Sequence, residues 1–188
     1  MSRPTHRQPF QFRSSVWTLL LLVIAAMLVG CATPATFEGM VPGSFDIIQK
    51  HPHAVNVKVT GGQETSAMWK TQISNEAFAQ ALVEAINKTQ AFSKVIQGTG
   101  ADYLLLVTIF SMEQPTFGGA FTVNLEAGWT LTRADNGVKV WQEAIKSEFT
   151  ATMGDAFGGA TRLRLATEGA ARNNIAAGLA KISRLNLQ

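Results

Sequence analysis

The 188 residues suffice for one domain and are few for two. With 46% hydrophobic and only 15% charged residues, the chain does not have the composition of a disordered one. Three of the 16 basic residues, Arg3, Arg7 and Arg13, lie in a first stretch of 30 that holds no acid, which leaves 13 bases facing 13 acids. The remainder is neutral, and nucleic-acid binding is dropped on that ground.

Residues 1–30 have the build of a secretory signal peptide: a basic start ending at Arg13, then an apolar run from Val16 to Val29 interrupted only by Thr18. That run is 14 residues long, short of the roughly 20 a bilayer-spanning helix needs. It ends in Leu28-Val29-Gly30-Cys31, which resembles a bacterial lipobox. The resemblance implies a diacylglycerol thioether on Cys31, cleavage before it and acylation (palmitate or similar) of the new amine. Several acyl chains anchor stably where one holds only marginally. Cys31 is the single cysteine, so no intramolecular disulfide is expected and no thiol is left for catalysis. Ala32 follows where an aspartate would signal inner-membrane retention, so the same resemblance points to the periplasmic face of the outer membrane.

Residues 31–53, with Pro34, Gly39, Pro42, Gly43 and Pro52 and no periodicity, read as a lipidated tether. As a flexible coil of roughly 20 residues it would reach about 25 Å. Residues 54–188 form the periplasmic domain. Val55, Val57 and Val59 alternate with polar residues as a half-buried strand ended by Gly61-Gly62. After a polar loop holding Met68 and Trp69, Ser74 is a helix N-cap with Ile73 and Phe78 at staple spacing, which predicts an amphipathic helix over 75–90. A short strand around 93–97 follows. Tyr103–Phe110 is apolar at nearly every position and reads as a central strand covered on both faces, with a second subunit as one candidate cover.

From Phe121 to Leu131 apolar residues strictly alternate with polar ones. A two-residue Asn136-Gly137 turn would mix core and polar residues across the hairpin. A three-residue Asp135-Asn136-Gly137 loop pairs Leu131 with Trp141, Ala127 with Ile145 and Val123 with Phe149, and is preferred. A loop over 153–159 precedes a last helix over about 160–184. The order β-α-β-β-β-β-α predicts an α+β two-layer sandwich, a mostly antiparallel sheet with two helices on one face.

Catalytic constellations are scarce. His51 and His53 flank Pro52 in the expected tether, and two ligands without a third make no zinc site. Neither completes a serine or cysteine triad. Glu143 and Glu148 fall on opposite faces of one strand. Gly98-Thr99-Gly100 lacks the third glycine of a dinucleotide fingerprint and precedes a strand. The expectation is no enzyme, no metal and no cofactor beyond the covalent diacylglycerol and N-acyl chain on Cys31.

Two features suit binding. Phe-Gly-Gly-Ala occurs at 117–120 and at 157–160, and the preferred register puts both loops at one end of the hairpin. Phe117, Gly118, Gly119, Phe157, Gly158 and Gly159 are thus candidates for a partner-binding patch; two unrelated turns whose phenylalanines cap the core are the other reading. The last helix adds Arg162, Arg164, Arg172, Lys181 and Arg184, a basic face for anionic lipid or an acidic partner, or simply a solvated one.

A lipobox, a tether, a β-α-β start, Gly-Ala-Asp-Tyr-Leu-Leu at 100–105 and a Trp-bearing hairpin before a closing helix resemble small bacterial envelope lipoproteins. The order is similar to that of auxiliary lipoproteins of ABC-type lipid transporters and of curli-secretion and penicillin-binding-protein-activator lipoproteins. Residues 160–175 look like those of an uncharacterised lipoprotein group. The resemblance implies no catalytic residue. The expected role is an adaptor or accessory subunit that binds another envelope protein. A self-associating homo-oligomeric scaffold, a glycolipid-binding module and a hydrolase are the alternatives.

Overall fold

The structure, a computed structural model, describes residues 32–65 and 71–188; the lipobox residues Leu28, Val29, Gly30 and Cys31, with Met68 and Trp69, lie outside that range. The elements are α1 (Phe37–Met40), β1 (His51–Thr60), α2 (Asn75–Thr89), β2 (Phe92–Val95), β3 (Tyr103–Glu113), β4 (Phe121–Arg133), β5 (Lys139–Ala151) and α3 (Gly159–Ile182). One sheet runs in the order β2-β1-β3-β4-β5. β1 lies parallel to β2 and β3, while the longer ladders β3-β4 and β4-β5 are antiparallel. Both long helices pack on the face carrying Val55, Leu105 and Trp129, giving the expected two-layer α+β sandwich.

α2 forms as its caps dictate. Ser74 Oγ accepts from the Ala77 amide at 3.1 Å, and Ile73 and Phe78 are both buried. Gln90 closes the helix in the left-handed region at φ 56°, its amide donating to Ile86 O at 2.7 Å.

The hairpin has the predicted register: Leu131 faces Trp141, Ala127 faces Ile145, Val123 faces Phe149 and Phe121 faces Ala151. Its turn differs from the three-residue expectation. Arg133 N donates to Val138 O at 2.8 Å and Gly137 N to Arg133 O at 3.0 Å, which closes a four-residue loop. The register shift that restores the core pairing sits between Leu131 and Thr132, because Thr132 pairs with Lys139. Gly137, at φ 72°, still occupies the expected left-handed position.

Trp129 occupies the centre of the core with no exposed surface. Its Nε1 donates to Asn174 Oδ1 at 2.9 Å, and Asn174 Nδ2 donates back to Ile145 O at 2.9 Å. Gly178 faces the indole so closely that a Cβ there would lie 2.5 Å from it, and a Cβ on Gly169 would lie 2.2 Å from Phe149. Glycine at these two positions is what lets α3 lie directly against the two aromatic rings.

The expected flexible tether is instead docked on the domain. Residues 36–49 run along α3: Thr36 N and Oγ1 donate to Glu168 Oε1 at 2.9 and 3.0 Å, and farther on Ile48 N donates to Ser183 Oγ and Gln49 N to Ser183 O. The one-turn α1, capped by Thr36, contacts both α2 and α3 and buries Met40 completely. Arg172 Nη1 donates to Gly39 O at 2.9 Å. His51 and His53, also expected in the tether, open strand β1.

β3 departs from expectation on its second face. Tyr103, Leu105 and Val107 are buried, but Leu104 and Phe110 are 43% and 60% exposed and Leu106 is partly so. A run of consecutive apolar residues reads as covered on both sides, yet no described element lies over this one.

Candidate functional site

The end of β3, the start of β4, the end of β5 and the start of α3 meet at one end of the sandwich. The two Phe-Gly-Gly-Ala loops leave from there, as the register requires. Phe117 and Phe157 are 87% and 93% exposed, and Met153 joins them with more than half its surface free. A Cβ on Gly119 would lie 3.6 Å from the Met153 methyl, so the two loops are neighbours. Gly118 needs its glycine, with φ at +148°. Gly158 and Gly159 have ordinary negative or helical backbone and serve as the N-cap and first residue of α3.

Arg162 holds this end together from beneath. Its side chain is buried, Nη1 donating to Ala156 O at 3.0 Å and to Phe157 O at 2.8 Å, and Nη2 to Gly118 O at 3.3 Å. The guanidinium also lies 5.2 Å over the Phe121 ring. One residue thus binds a carbonyl from each loop. The 152–155 turn is braced separately: Asp155 Oδ2 accepts from Thr152 N at 2.7 Å and from Thr152 Oγ1 at 2.8 Å, bonds that hold its carboxyl below the usual range.

The basic face expected on the last helix is mostly turned inward. Arg164 pairs with Glu168 at 2.9 Å, Arg172 reaches Gly39 and stacks on Phe149, and Lys181 meets Glu143 at 2.5 Å. Arg184 is exposed. Arg164 therefore belongs to the docked N-terminal segment and not to the loop cluster. Glu168 and Met153 escape a reading of the sequence, which also leaves open what covers the row Leu104, Leu106 and Phe110. Glu168 left one signal there: it lies four residues after Arg164 on a helix otherwise free of acids.

On the open sheet face the Phe110 ring lies across Gly128, where a Cβ would come within 2.3 Å of it. The strand bends there, since the β3-β4 register shifts between Ile109 and Ser111. Most other open-face positions of β4 and β5 are polar, among them Thr122, Asn124, Glu126, Gln142, Lys146 and Glu148, but Ala144, exposed and paired with Gly128, extends the apolar row.

Neither histidine faces a shared centre. His51 is buried with Nε2 3.0 Å from Ile182 O and its ring on Phe92, while His53 meets Tyr103 edge-on at 5.3 Å. Among the described residues, no three His, Cys, Asp or Glu side chains are grouped to hold a metal. Burial is the main cause that lowers the His51 pKa, with His53 adding to it and the Ile182 bond opposing. The fold thus favours neutral His51, and its contribution is complete above the ordinary histidine value near 6.5. As pH falls below that value toward the folded pKa, stability is lost. Urea midpoints taken at neutral and mildly acid pH should show this decline, and His51→Gln should remove that part of the slope; an unchanged slope would assign it elsewhere.

No protein-family model matches the chain, and no curated protein sequence does. Among solved structures, a DUF330-family protein from Xanthomonas campestris superposes with a TM-score of 0.53 at 12% identity, over 80% of this chain and 91% of that one. At that identity the likeness is one of fold. A minor lipoprotein from Acinetobacter baumannii gives a TM-score of 0.47 at 8% identity, over 71% of this chain and 92% of that one. PelC from Paraburkholderia phytofirmans, a dodecamer, gives 0.48 at 14%, over 77% and 96%.

Proposed function

We propose that this chain is a lipid-anchored protein of the bacterial outer membrane whose periplasmic domain binds another envelope protein, as an adaptor or accessory subunit without catalysis of its own. The observation that carries the binding role is the row Leu104, Leu106 and Phe110, laid open on a sheet whose two long described helices occupy the other face. A monomeric soluble domain seldom leaves such a row on its central strand uncovered. The anchoring role is carried by Leu28-Val29-Gly30-Cys31 at the end of a 14-residue apolar run. A second copy of the chain would suit the same row, which makes self-association the second reading.

Both halves are testable in cells. Cys31→Ser should leave the leader uncut and abolish incorporation of labelled fatty acid; normal processing of that variant would refute the anchor. Photo-cross-linkers at Leu104 and Phe110 should capture one envelope protein that a probe at Asn136 does not, and Leu106→Asp should abolish the capture. Links only to the chain itself would establish the scaffold, and no links would remove the row as a docking surface.

A further inference from the structure

The docked segment has a direction. Thr36 sits at Glu168 and Gln49 at Ser183, so the chain follows α3 from its first half to its C-terminal end. Traced backwards from Thr36 it passes Gln72, whose carbonyl accepts from Ala35 N at 3.2 Å. A second set of bonds agrees: Thr71 Oγ1 donates to Thr33 O at 2.9 Å, and Gln114 Nε2 donates to Thr71 O at 2.7 Å and Thr167 Oγ1 at 2.9 Å. Gln114 directly follows β3 and precedes Phe117 by three residues. Thr33 is thus tied, through Thr71 and Gln114, to the end where Phe117, Met153 and Phe157 are exposed, and Cys31 precedes it in sequence by two residues.

We propose that this end is a membrane-contact surface, with Phe117, Met153 and Phe157 seated in the lipid layer that takes the acyl chains of Cys31. The inference rests on the lipid-anchored reading and adds to it which face of the domain meets lipid. The three side chains project from two short loops that Arg162 clamps through the carbonyls of residues 118, 156 and 157, so they are held outward together. Arg162 is buried beneath the loops, so the groups this end exposes are the apolar side chains of Phe117, Met153 and Phe157. The contact should therefore survive high salt and need no anionic lipid.

Cys31 is the only cysteine, and acylation occupies it, so one added cysteine can carry an environment-sensitive label. The mature acylated protein would be purified in detergent and returned to phosphatidylethanolamine–phosphatidylglycerol vesicles with the label at Phe117→Cys, Phe157→Cys or Asn136→Cys. Both phenylalanines are exposed, so the label displaces no core packing. Asn136 lies at the far end of the hairpin, roughly 40 Å along the strands. The expected result is blue-shifted emission, quenched by nitroxide lipids in low and high salt, at 117 and 157 but not at 136. Aqueous emission at 117 and 157 on a chain shown by mass spectrometry to be acylated would overturn the membrane contact and leave the anchor standing. A shift seen only after a second protein is added would overturn it in favour of a protein-docking loop pair. An unacylated Cys31 would overturn both readings.

Discussion

Trp129→Ala will cost about 3–5 kcal/mol of folding stability, the range for truncating a large buried aromatic side chain. The indole is fully buried under α3, and its loss leaves a cavity that the helix cannot close without moving Gly178 and Asn174 together. Asn174 Oδ1 would also lose its donor inside the core, where an unpaired polar group costs about 1–3 kcal/mol. Trp129→Phe weights the two effects differently: it keeps most of the volume while removing the hydrogen bond, so it should cost clearly less. Urea unfolding followed by circular dichroism checks this, with the midpoint falling and the slope unchanged. A Trp129→Ala loss below about 1 kcal/mol, the scale of a typical point substitution, would mean that α3 does not pack on the sheet as described.

Glu168→Ala should have the second-largest effect, and a more local one. The carboxylate is 2% exposed and accepts from Thr36 N, Thr36 Oγ1 and Arg164 Nη1, all through Oε1. Removing one member of such a buried ionic cluster typically costs about 3–5 kcal/mol because the remaining groups lose their compensation. Arg164 is partly exposed and can turn to water, which places the loss toward the lower end. Hydrogen exchange should accelerate at residues 35–41 while β4 stays protected. Glu168→Gln keeps an acceptor for Thr36 and should retain part of the protection. Unchanged exchange at 35–41 in the alanine variant would show that Met40 alone holds the segment.

Register was legible because alternation in β4 and β5 permits only one pairing that keeps Leu131, Ala127 and Val123 on the helix side. α2 was legible from Ser74, Ile73 and Phe78, which act within one turn. The segment 33–49 was not, because its docking depends on a surface formed by two helices far away in sequence. Phe37 and Met40 in a proline- and glycine-rich stretch carry no periodic signal. For β3, a sequence cannot say whether an apolar face is covered by its own chain; Leu104, Leu106 and Phe110 are compatible with either. The loop cluster was half legible. Pairing alone brought Phe117 and Phe157 to one end, but nothing in the sequence marks Arg162 as a buried clamp. A first-turn arginine on a basic helix reads as solvated, and only the carbonyls of residues 118, 156 and 157 give it another role.

The docked segment also decides how the domain searches. A free coil of roughly 20 residues would let the domain sweep a hemisphere about 25 Å in radius and tumble within it, diluting any one face. Held by Glu168, Met40 and Ser183, residues 36–49 are instead part of the domain and do not act as a swivel. On the lipid-anchored reading proposed above, a partner embedded in the same membrane would meet the Leu104–Phe110 face by lateral diffusion in two dimensions. Much of the rotational freedom that association ordinarily costs is surrendered beforehand, when the N-terminal segment folds onto α3.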